Sequence, residues 1–258
     1  MKMKELTKTQ KDLLVLLKNT GSLKFVQEEA FFSNPTGKIF PYEIDLTQLE
    51  EGVEKRRQRE EVYARAKSLI RLRIENYGIV TSEEGMEEFT AVIADRLNLQ
   101  YHKNTKTYQT PTKVVLVSKE QPQKSTLDRI IENNGRITSV FSILGYKTPF
   151  FQRFSPKNIC LIPPDKTSWA NALITAGLID EHIYGILTAY ELNPKVWEKT
   201  TIKTQRGLEQ LAHLLDTEKT HKQGMKTLDY YDTRKKELRK TLLETHPYLN
   251  KIIRAGSF

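Results

Sequence analysis

Three short apolar runs organise the first half of the chain, at Gly78–Val80, Val114–Val117 and Ile137–Leu144. Polar or turn residues bound each run, a pattern typical of a buried β-strand. Two segments with helical spacing of apolar residues lie between the runs, at Glu87–Leu97 and Ser125–Asn133. Strands that alternate with helices predict an α/β protein with a mostly parallel sheet and helices on its faces.

Any ligand site is expected beside the loops that leave the first two of these strands. The loops are Thr81–Gly85 and Ser118–Lys124. Open α/β sheets bind ligands beyond the carboxyl ends of their strands, and each of these loops begins at such an end.

A helix, a hairpin and a second helix are predicted before this core. Residues 7–18 have helical spacing, and Gly21 follows the end of that helix. The hairpin is expected around the turn signal Asn34–Gly37, with strands at Leu23–Val26, Ala30–Phe32 and Ile39–Leu46. A long helix is expected over Leu49–Ile74. Its apolar positions would face the sheet, and they are Val62, Ala66, Leu69 and Ile70.

A further strand–helix–strand unit is predicted after the core. The strands are Ile159–Ile162 and Ile183–Leu192. The helix between them would be capped by Thr167 or Ser168 and ended by Gly177.

The pattern is helical from Thr204 onward. One apolar stripe consists of Leu208, Leu211, Leu214 and Leu215. A charged helix is predicted over about Met225–Thr245, and Pro247 precedes a last apolar patch. Three regions are therefore expected, namely an α/β domain over residues 1–150, its continuation or a crossing segment over 151–200, and a helical extension over 201–258.

The composition is that of a soluble globular protein. Of the 258 residues 38% are hydrophobic and 28% charged, and no apolar run reaches the ~20 residues of a membrane span. No signal peptide is expected. Cys160 is the only cysteine, so an internal disulfide is excluded and a cytoplasmic location is expected. The scattered histidines have no metal-binding spacing, and no metal site is predicted.

The net charge of +9 leaves two interpretations open. A basic protein can bind nucleic acid, nucleotides or other phosphates. The other interpretation is a solvated basic surface, because lysines and arginines are interleaved with acids along the whole chain. The same choice applies to the basic cluster Lys55, Arg56, Arg57 and Arg59.

The common phosphate and nucleophile motifs do not occur. The sequence has no GxxxxGK[ST], no GxGxxG and no GxSxG. A P-loop enzyme, a dinucleotide-dependent dehydrogenase and an α/β-hydrolase are therefore disfavoured.

Four segments in order resemble the orotate phosphoribosyltransferase family over about residues 13–144. Residues 19–46 resemble its N-terminal segment, with the triplet Phe40-Pro41-Tyr42 preceded by Lys38. Residues 77–99 resemble its first phosphate loop and the following helix. The segment HKNTKTY at 102–108 resembles its RKxxKxYG loop, and VVLVSKEQPQKST at 114–126 resembles its ribose-phosphate motif.

The resemblance implies a site for phosphoribosyl pyrophosphate or a nucleotide, with Mg²⁺ accompanying the ligand. The sequence by itself indicates no cofactor. The residues placed at the site by the resemblance are Lys38, Tyr42, Glu84, Gly85, His102, Lys103, Lys106, Ser118, Lys119, Ser125 and Thr126. A solvated loop is the alternative for Lys103 and Lys106, and a helix first turn is the alternative for Glu84.

The sequence departs from the family where the chemistry is most demanding. Ser118 and Lys119 stand where the family has paired acids, and the glycine turn has become Gln121-Pro122-Gln123-Lys124. Proline has no N–H, so a cradle of backbone amides is not expected there. A second frame at Asp165, Thr167 and Ser168 also lacks paired acids and glycines. A helix N-cap is the alternative for Thr167 and Ser168.

Three functions are compatible with these residues. The preferred hypothesis is a catalytically degenerate phosphoribosyltransferase-like protein with a regulatory, assembly or phosphate-sensing role. The alternatives are an active phosphoribosyltransferase with a remodelled site and a basic nucleic-acid-binding protein that uses Leu49–Ile74 and Met225–Thr245. A homodimer through the lysine-bearing loop follows from the resemblance alone, and no membrane partner is expected.

Overall fold

A computed structural model describes most of the chain. The described residues are 6–27, 30–49, 55–69, 77–81, 85–103, 112–118, 124–144, 157–162, 169–232 and 237–255.

The described residues form helices, strands and one 3-10 turn at Leu46–Leu49. The strands are β1 (Leu23–Phe25), β2 (Phe32–Ser33), β3 (Ile39–Phe40), β4 (Tyr42–Ile44), β5 (Tyr77–Thr81), β6 (Gln100–Lys103), β7 (Thr112–Ser118), β8 (Gly135–Leu144) and β9 (Lys157–Ile162). The helices are α1 (Lys8–Asn19), α2 (Lys55–Leu69), α3 (Glu87–Arg96), α4 (Lys124–Glu132), α5 (Trp169–Thr175), α6 (Glu181–Leu192), α7 (Pro194–Thr201), α8 (Gln205–Asp216), α9 (Glu218–Tyr231), α10 (Glu237–Thr245) and α11 (Leu249–Ala255).

The chain divides into two compact units. The first unit contains residues 1–23 and 44–179, and the second contains residues 24–43 and 180–258. The predicted three-part division stays a prediction, and the compact units follow other boundaries.

A five-stranded sheet forms the centre of the first unit. Its strand order is β6-β5-β7-β8-β9, and every neighbouring pair is parallel. The register aligns Ile79 with Val115, and a bulge on β8 follows the pairing of Val114 with Ile137. The prediction that β5, β7 and β8 are neighbouring strands of an α/β core is therefore confirmed.

Both faces of the sheet are buried, which explains the continuous apolar runs. On one face Val114 and Leu116 pack with Leu127 and Ile130 of α4. Val115, which points to the opposite face, is fully buried as well. Helix α3 packs against β5 and β6, so the two crossover helices cover opposite faces of the sheet.

Helix α2 covers Lys55–Leu69, within the helix predicted over Leu49–Ile74. The predicted start is wrong, because Leu49 ends the 3-10 turn, and residues 50–54 and 70–76 lie outside the described residues. Val62 and Ala66 are buried as expected, but the main neighbours of α2 are α1 and α3.

The N-terminal hairpin is confirmed, with an interruption. Strands β2 and β3 pair antiparallel around the turn Asn34–Gly37, and β1 pairs with β4. The predicted strand Ile39–Leu46 is two strands separated by Pro41, which has no N–H for a ladder. Gly37 has φ +88°, a conformation that favours glycine.

The prediction of a strand at Ile183–Leu192 is wrong, because this segment is helix α6. The Asp180 carboxylate caps the helix by accepting a hydrogen bond from the Ile183 N–H at 2.9 Å. Ile183, Leu187 and Tyr190 are buried at helical spacing, so the 3.6-residue period decides the structure over the β-branched composition. Helix α7 follows directly, with Asn193 as its cap and Pro194 as its first residue, and it was not predicted.

The prediction of one helix over Met225–Thr245 is also wrong. Helix α9 begins earlier, at Glu218, and ends at Tyr231 before Asp232 leaves the helical conformation. Helix α10 begins after residues 233–236, which lie outside the described residues. The apolar stripe of α8 is confirmed, with Leu208, Leu211 and Leu215 buried.

The second unit has its own core and a polar anchor for the hairpin turn. The core combines Phe31 and Ile39 of the hairpin with residues of α8 to α11. The Lys226 ammonium donates to the Pro35 carbonyl oxygen at 2.8 Å, and a Cβ on Gly37 would collide with the Lys226 backbone. The turn therefore packs directly on α9.

Within the described residues, no helix combines the length and apolarity needed to cross a membrane.

Strand β6 was not predicted, and a close contact holds it to β5. The imidazole of His102 occupies the space beside Gly78, where an added Cβ would lie 2.5 Å from the ring. The resemblance placed His102 in a loop, but it lies in strand β6 and is half-buried. Burial lowers the pKa of His102 below its ordinary value because it disfavours the charged imidazolium.

We expect Val115→Ala to lower the free energy of unfolding of the first unit by about 1–3 kcal/mol, because buried methyl groups are lost and a cavity remains. Denaturant unfolding measures the change. Ile131→Ala on α4, at a side chain that is 41% exposed, is the matched control. Equal losses in the two variants would contradict the buried position of β7.

We expect the stability of the first unit to fall as the pH is lowered through about 6.5, the ordinary histidine pKa. The unfolded chain takes up a proton at His102 in this range while the folded chain, with its lowered pKa, does not, so acid favours unfolding. Melting temperatures measured against pH should show a smaller fall in His102→Gln. The exposed His182→Gln is the control. An unchanged slope in His102→Gln would refute the assignment.

Candidate functional site

The carboxyl ends of β5 and β7 define the candidate site. From β5 the chain crosses through α3 to β6 on one side, and from β7 it crosses through α4 to β8 on the other. The order of the strands therefore reverses between β5 and β7. Crossovers that diverge in this way leave a crevice at the carboxyl edge of the sheet, where ligands bind in open α/β folds.

Short hydroxyl side chains close the strands at this edge. Thr81 ends β5 and Ser118 ends β7, and both are buried. Ser142 of β8 is fully buried and aligns with Ser118. Ser118 and Ser142 therefore lie side by side on the face of the sheet that α4 covers, whereas Thr81, beside Val117, points to the opposite face. Ser142 was missed because a single polar residue interrupts the apolar run there.

The two helices that face this edge begin differently. Helix α3 has Glu87 and Glu88 in its first turn, and its cap residue Met86 makes no side-chain hydrogen bond. Helix α4 has no acid in its first turn, where Ser125 is exposed and Thr126 is half-buried. The N–H groups and dipole of a helix N-terminus attract anions, and the carboxylates of α3 oppose this attraction. The start of α4 is thus the better place for a phosphate.

Gly85 lies just before α3 with φ +75°. It ends the first predicted loop, while Glu84 lies outside the described residues. The backbone of Lys103 pairs with Thr81 at the end of β6, which places this residue at the same edge of the sheet. Lys106 and Lys119 also lie outside the described residues, as do Asp165, Thr167 and Ser168 of the second frame.

Tyr101 is a polar residue at β6 that the sequence did not indicate. Its hydroxyl is buried and has no hydrogen-bond partner among the described residues. Burial raises the pKa of Tyr101, and the negative charge of Glu87 raises it further. The phenol therefore stays protonated at neutral pH beside the first turn of α3.

Lys38 has a structural role in the second unit. Its ammonium lies 3.4 Å from Oε1 of the buried Glu198 and 5.0 Å from the centre of the Phe40 ring. The Tyr231 hydroxyl donates to Oε2 of Glu198 at 3.0 Å and accepts from the Ile39 N–H at 3.0 Å. Burial is the main cause that raises the pKa of Tyr231. Lys38 therefore compensates a buried carboxylate.

Tyr42 is buried among aromatic side chains of the second unit. Its ring lies 5.6 Å from that of Phe40 and 6.1 Å from that of Tyr190, edge to face with the latter. Tyr190 packs in turn on Trp197 at 5.3 Å. Such contacts stabilise a core, and they give Tyr42 a packing role.

The described residues do not fit a metal ion. No group of three or more histidine, cysteine, aspartate or glutamate side chains is close enough to hold one among them. β7 ends in Ser118, where the resemblance would place an acid. The chain's own described side chains therefore offer no carboxylate set for Mg²⁺.

One of the comparisons with known proteins bears on the fold. No protein-family model matches the sequence, and no curated protein matches it either. Among solved structures, the UMP synthase of Leishmania donovani matches with a TM-score of 0.52 and 14% identity, over 70% of this chain. The chain spans 42% of the length of that protein.

Two weaker structural matches have lower scores. Orotate phosphoribosyltransferase from Aeropyrum pernix has a TM-score of 0.44 at 14% identity, and the match covers 64% of this chain and 99% of that one. Adenine phosphoribosyltransferase from Leishmania donovani has a TM-score of 0.38 at 16% identity, over 59% and 80% of the two chains.

Three findings lead to one conclusion about the architecture. They are the parallel sheet with helices on both faces, the reversal of strand order between β5 and β7, and the match to UMP synthase. The chain has an orotate phosphoribosyltransferase-like fold of the type I phosphoribosyltransferase class.

Proposed function

We propose that the chain binds a phosphate-bearing ligand, either a nucleotide or phosphoribosyl pyrophosphate, at the carboxyl edge of β5 and β7. The role would be regulation, assembly or ligand sensing. The observation that supports this proposal is the reversal of strand order between β5 and β7, next to a helix, α4, whose first turn contains no acidic residue. Ser125 and Thr126 would supply hydroxyl donors there, and the net charge of +9 favours an anion.

The proposal excludes efficient phosphoribosyl transfer. As pyrophosphate leaves, positive charge develops on the ribose, and acids are needed to hold the sugar hydroxyls. Ser118 ends β7 and Lys119 follows it in the sequence, so this position carries no negative charge. The resemblance implied site roles for Tyr42 and Lys38. In the second unit, however, Tyr42 packs against Tyr190 and Lys38 forms an ion pair with Glu198.

The nucleic-acid hypothesis has less support. Its basic helices carry their own counter-ions, since Arg57 and Arg65 of α2 pair with Glu61, and Arg239 of α10 contacts Asp229 and Asp232. Neutralised cations contribute little to the counter-ion release that drives binding to phosphates along a nucleic acid.

We expect Ser125→Glu to weaken binding of phosphoribosyl pyrophosphate or a nucleoside monophosphate by about tenfold or more, because it places a carboxylate where the phosphate would sit. Calorimetric titration measures the affinity. The free energy of unfolding of the Ser125→Glu variant should stay unchanged or rise, because a carboxylate at a helix N-terminus interacts favourably with the helix dipole.

Asn250→Glu is the matched control for this experiment. It puts the same charge at an exposed position in the first turn of α11, in the second unit. Equal losses in both variants would indicate a general charge effect and would refute a phosphate site at α4.

We expect no measurable orotate phosphoribosyl transfer. A single lost electrostatic contact can cost ~3 kcal/mol, a factor of ~100 in rate, and this sequence lacks both the paired acids and the glycine turn of the family. The assay combines purified protein, magnesium, phosphoribosyl pyrophosphate and orotate and follows nucleotide formation, with an active orotate phosphoribosyltransferase as control. Sustained turnover would establish the alternative of an active enzyme with a remodelled site.

A further inference from the structure

Helix α9 carries a basic face on the side that points away from the core of the second unit. At 100° per residue, four exposed side chains fall within an arc of about 80°. They form the α9 face, namely Lys219, Lys222, Lys226 and Tyr230. The buried residues His221, Gly224 and Leu228 lie on the opposite side of the helix. At 1.5 Å per residue, the α9 face is about 16.5 Å long.

The lysines of the α9 face have no counter-ion among the described residues. Lys219 and Lys222 form no ion pair there. Lys226 donates to the Pro35 carbonyl oxygen at 2.8 Å, a contact that leaves its positive charge uncompensated. The arginines of α2 and α10 differ, because neighbouring acids neutralise them. The α9 face therefore retains a positive charge that an anionic partner can neutralise.

Two acids flank the α9 face, and neither neutralises it. Glu218 is exposed in the first turn of α9 and forms no ion pair with Lys222, four residues further on. The carboxylate of Asp229 is already paired with Arg239, at 3.1 Å. The charge of the α9 face is therefore positive along its whole length.

Tyr230 adds an aromatic surface at the end of the α9 face. Its side chain is 54% exposed. Its ring centre lies 4.8 Å from that of Tyr231, and the Tyr231 hydroxyl is held by Glu198 and by the Ile39 N–H. Tyr231 therefore fixes the Tyr230 ring from one side, while more than half of the side chain stays open to solvent. A ring held in this way loses little freedom when a ligand stacks on it.

We propose that the α9 face binds single-stranded nucleic acid, with phosphates on the lysines and a base stacked on Tyr230. Proteins that bind single strands without sequence preference combine cationic side chains along the backbone with aromatic rings on which bases stack. A duplex is a poorer partner, because its bases stack on each other and offer no free ring face. An acidic peptide needs only the lysines and leaves the tyrosine without a role. This site belongs to the second unit, whereas the phosphate site proposed at α4 belongs to the first.

Fluorescence anisotropy of a labelled oligo(dT) of about 12 nucleotides, titrated with the full chain, tests the proposal. The logarithm of the affinity should fall against the logarithm of the salt concentration with a slope of about −2, because each of three neutralised phosphates contributes about −0.7. Lys219→Gln combined with Lys222→Gln should weaken binding about tenfold or more at low salt and reduce the slope to about −0.7. Neither side chain makes a hydrogen bond or ion pair among the described residues, so circular dichroism should show a retained fold.

Lys195→Gln combined with Lys199→Gln is the matched control for charge. It removes the same charge from two exposed lysines of α7, also in the second unit. Affinity and salt slope should stay close to those of the wild-type protein. A control as disruptive as the variant of Lys219 and Lys222 would indicate a general charge effect and would overturn the proposal.

Tyr230 separates a nucleic acid from other anionic partners. Tyr230→Ala should weaken binding of oligo(dT) about tenfold with an unchanged salt slope, and Tyr230→Trp should retain it, because stacking and not charge is altered. Tyr248→Ala is the aromatic control, since Tyr248 is 52% exposed and lies outside α9. The proposal is overturned if oligo(dT) does not bind, if Tyr230→Ala binds like the wild-type protein, or if a duplex or polyglutamate of equal length binds as tightly as the single strand.

Discussion

Burial of both faces of β7 is the constraint on which the first unit depends. Val114 and Leu116 require a cover on one side, and Val115 and Val117 require one on the other. Only helices on both faces meet this need, and the right-handed connections then carry α3 and α4 in opposite directions from the centre of the sheet. The crevice between β5 and β7 is a consequence of that packing, so the position of the candidate site follows from the core.

The sequence predicted the parts of the fold that rest on local pattern. Strands β5, β7 and β8 were recognisable because each is buried on both faces and therefore continuous in apolar residues. Strand β6 was not recognisable from its residues QYHK, because its position depends on the contact between His102 and Gly78 of β5. Helix α6 was mistaken for a strand because isoleucine, threonine and tyrosine favour strands, whereas the Asp180 cap and the helical burial period decide otherwise.

The candidate site was predictable to a similar degree. The loops after β5 and β7 follow from strand order, and so does the placement of Ser118, Ser125 and Thr126 near them. Lys38 and Tyr42 acquire their packing roles from Glu198 and Tyr190, which are distant in the sequence. A buried carboxylate such as Glu198 needs its cation, because removal of one partner leaves an uncompensated charge in the core. No local sequence pattern around residues 38–42 indicates that Glu198 needs a cation.

The discontinuity of the second unit has a consequence for synthesis on the ribosome. Residues 24–43 belong with residues 180–258, and the turn at Asn34–Gly37 packs on α9. At about 5–20 residues per second, this segment is made roughly 10–40 s before the last helices that complete its core. Phe31 and Ile39, both fully buried in the finished unit, must stay exposed or be protected during that interval. The nascent chain therefore carries an apolar segment without its partners for most of its translation, which is the situation that molecular chaperones relieve.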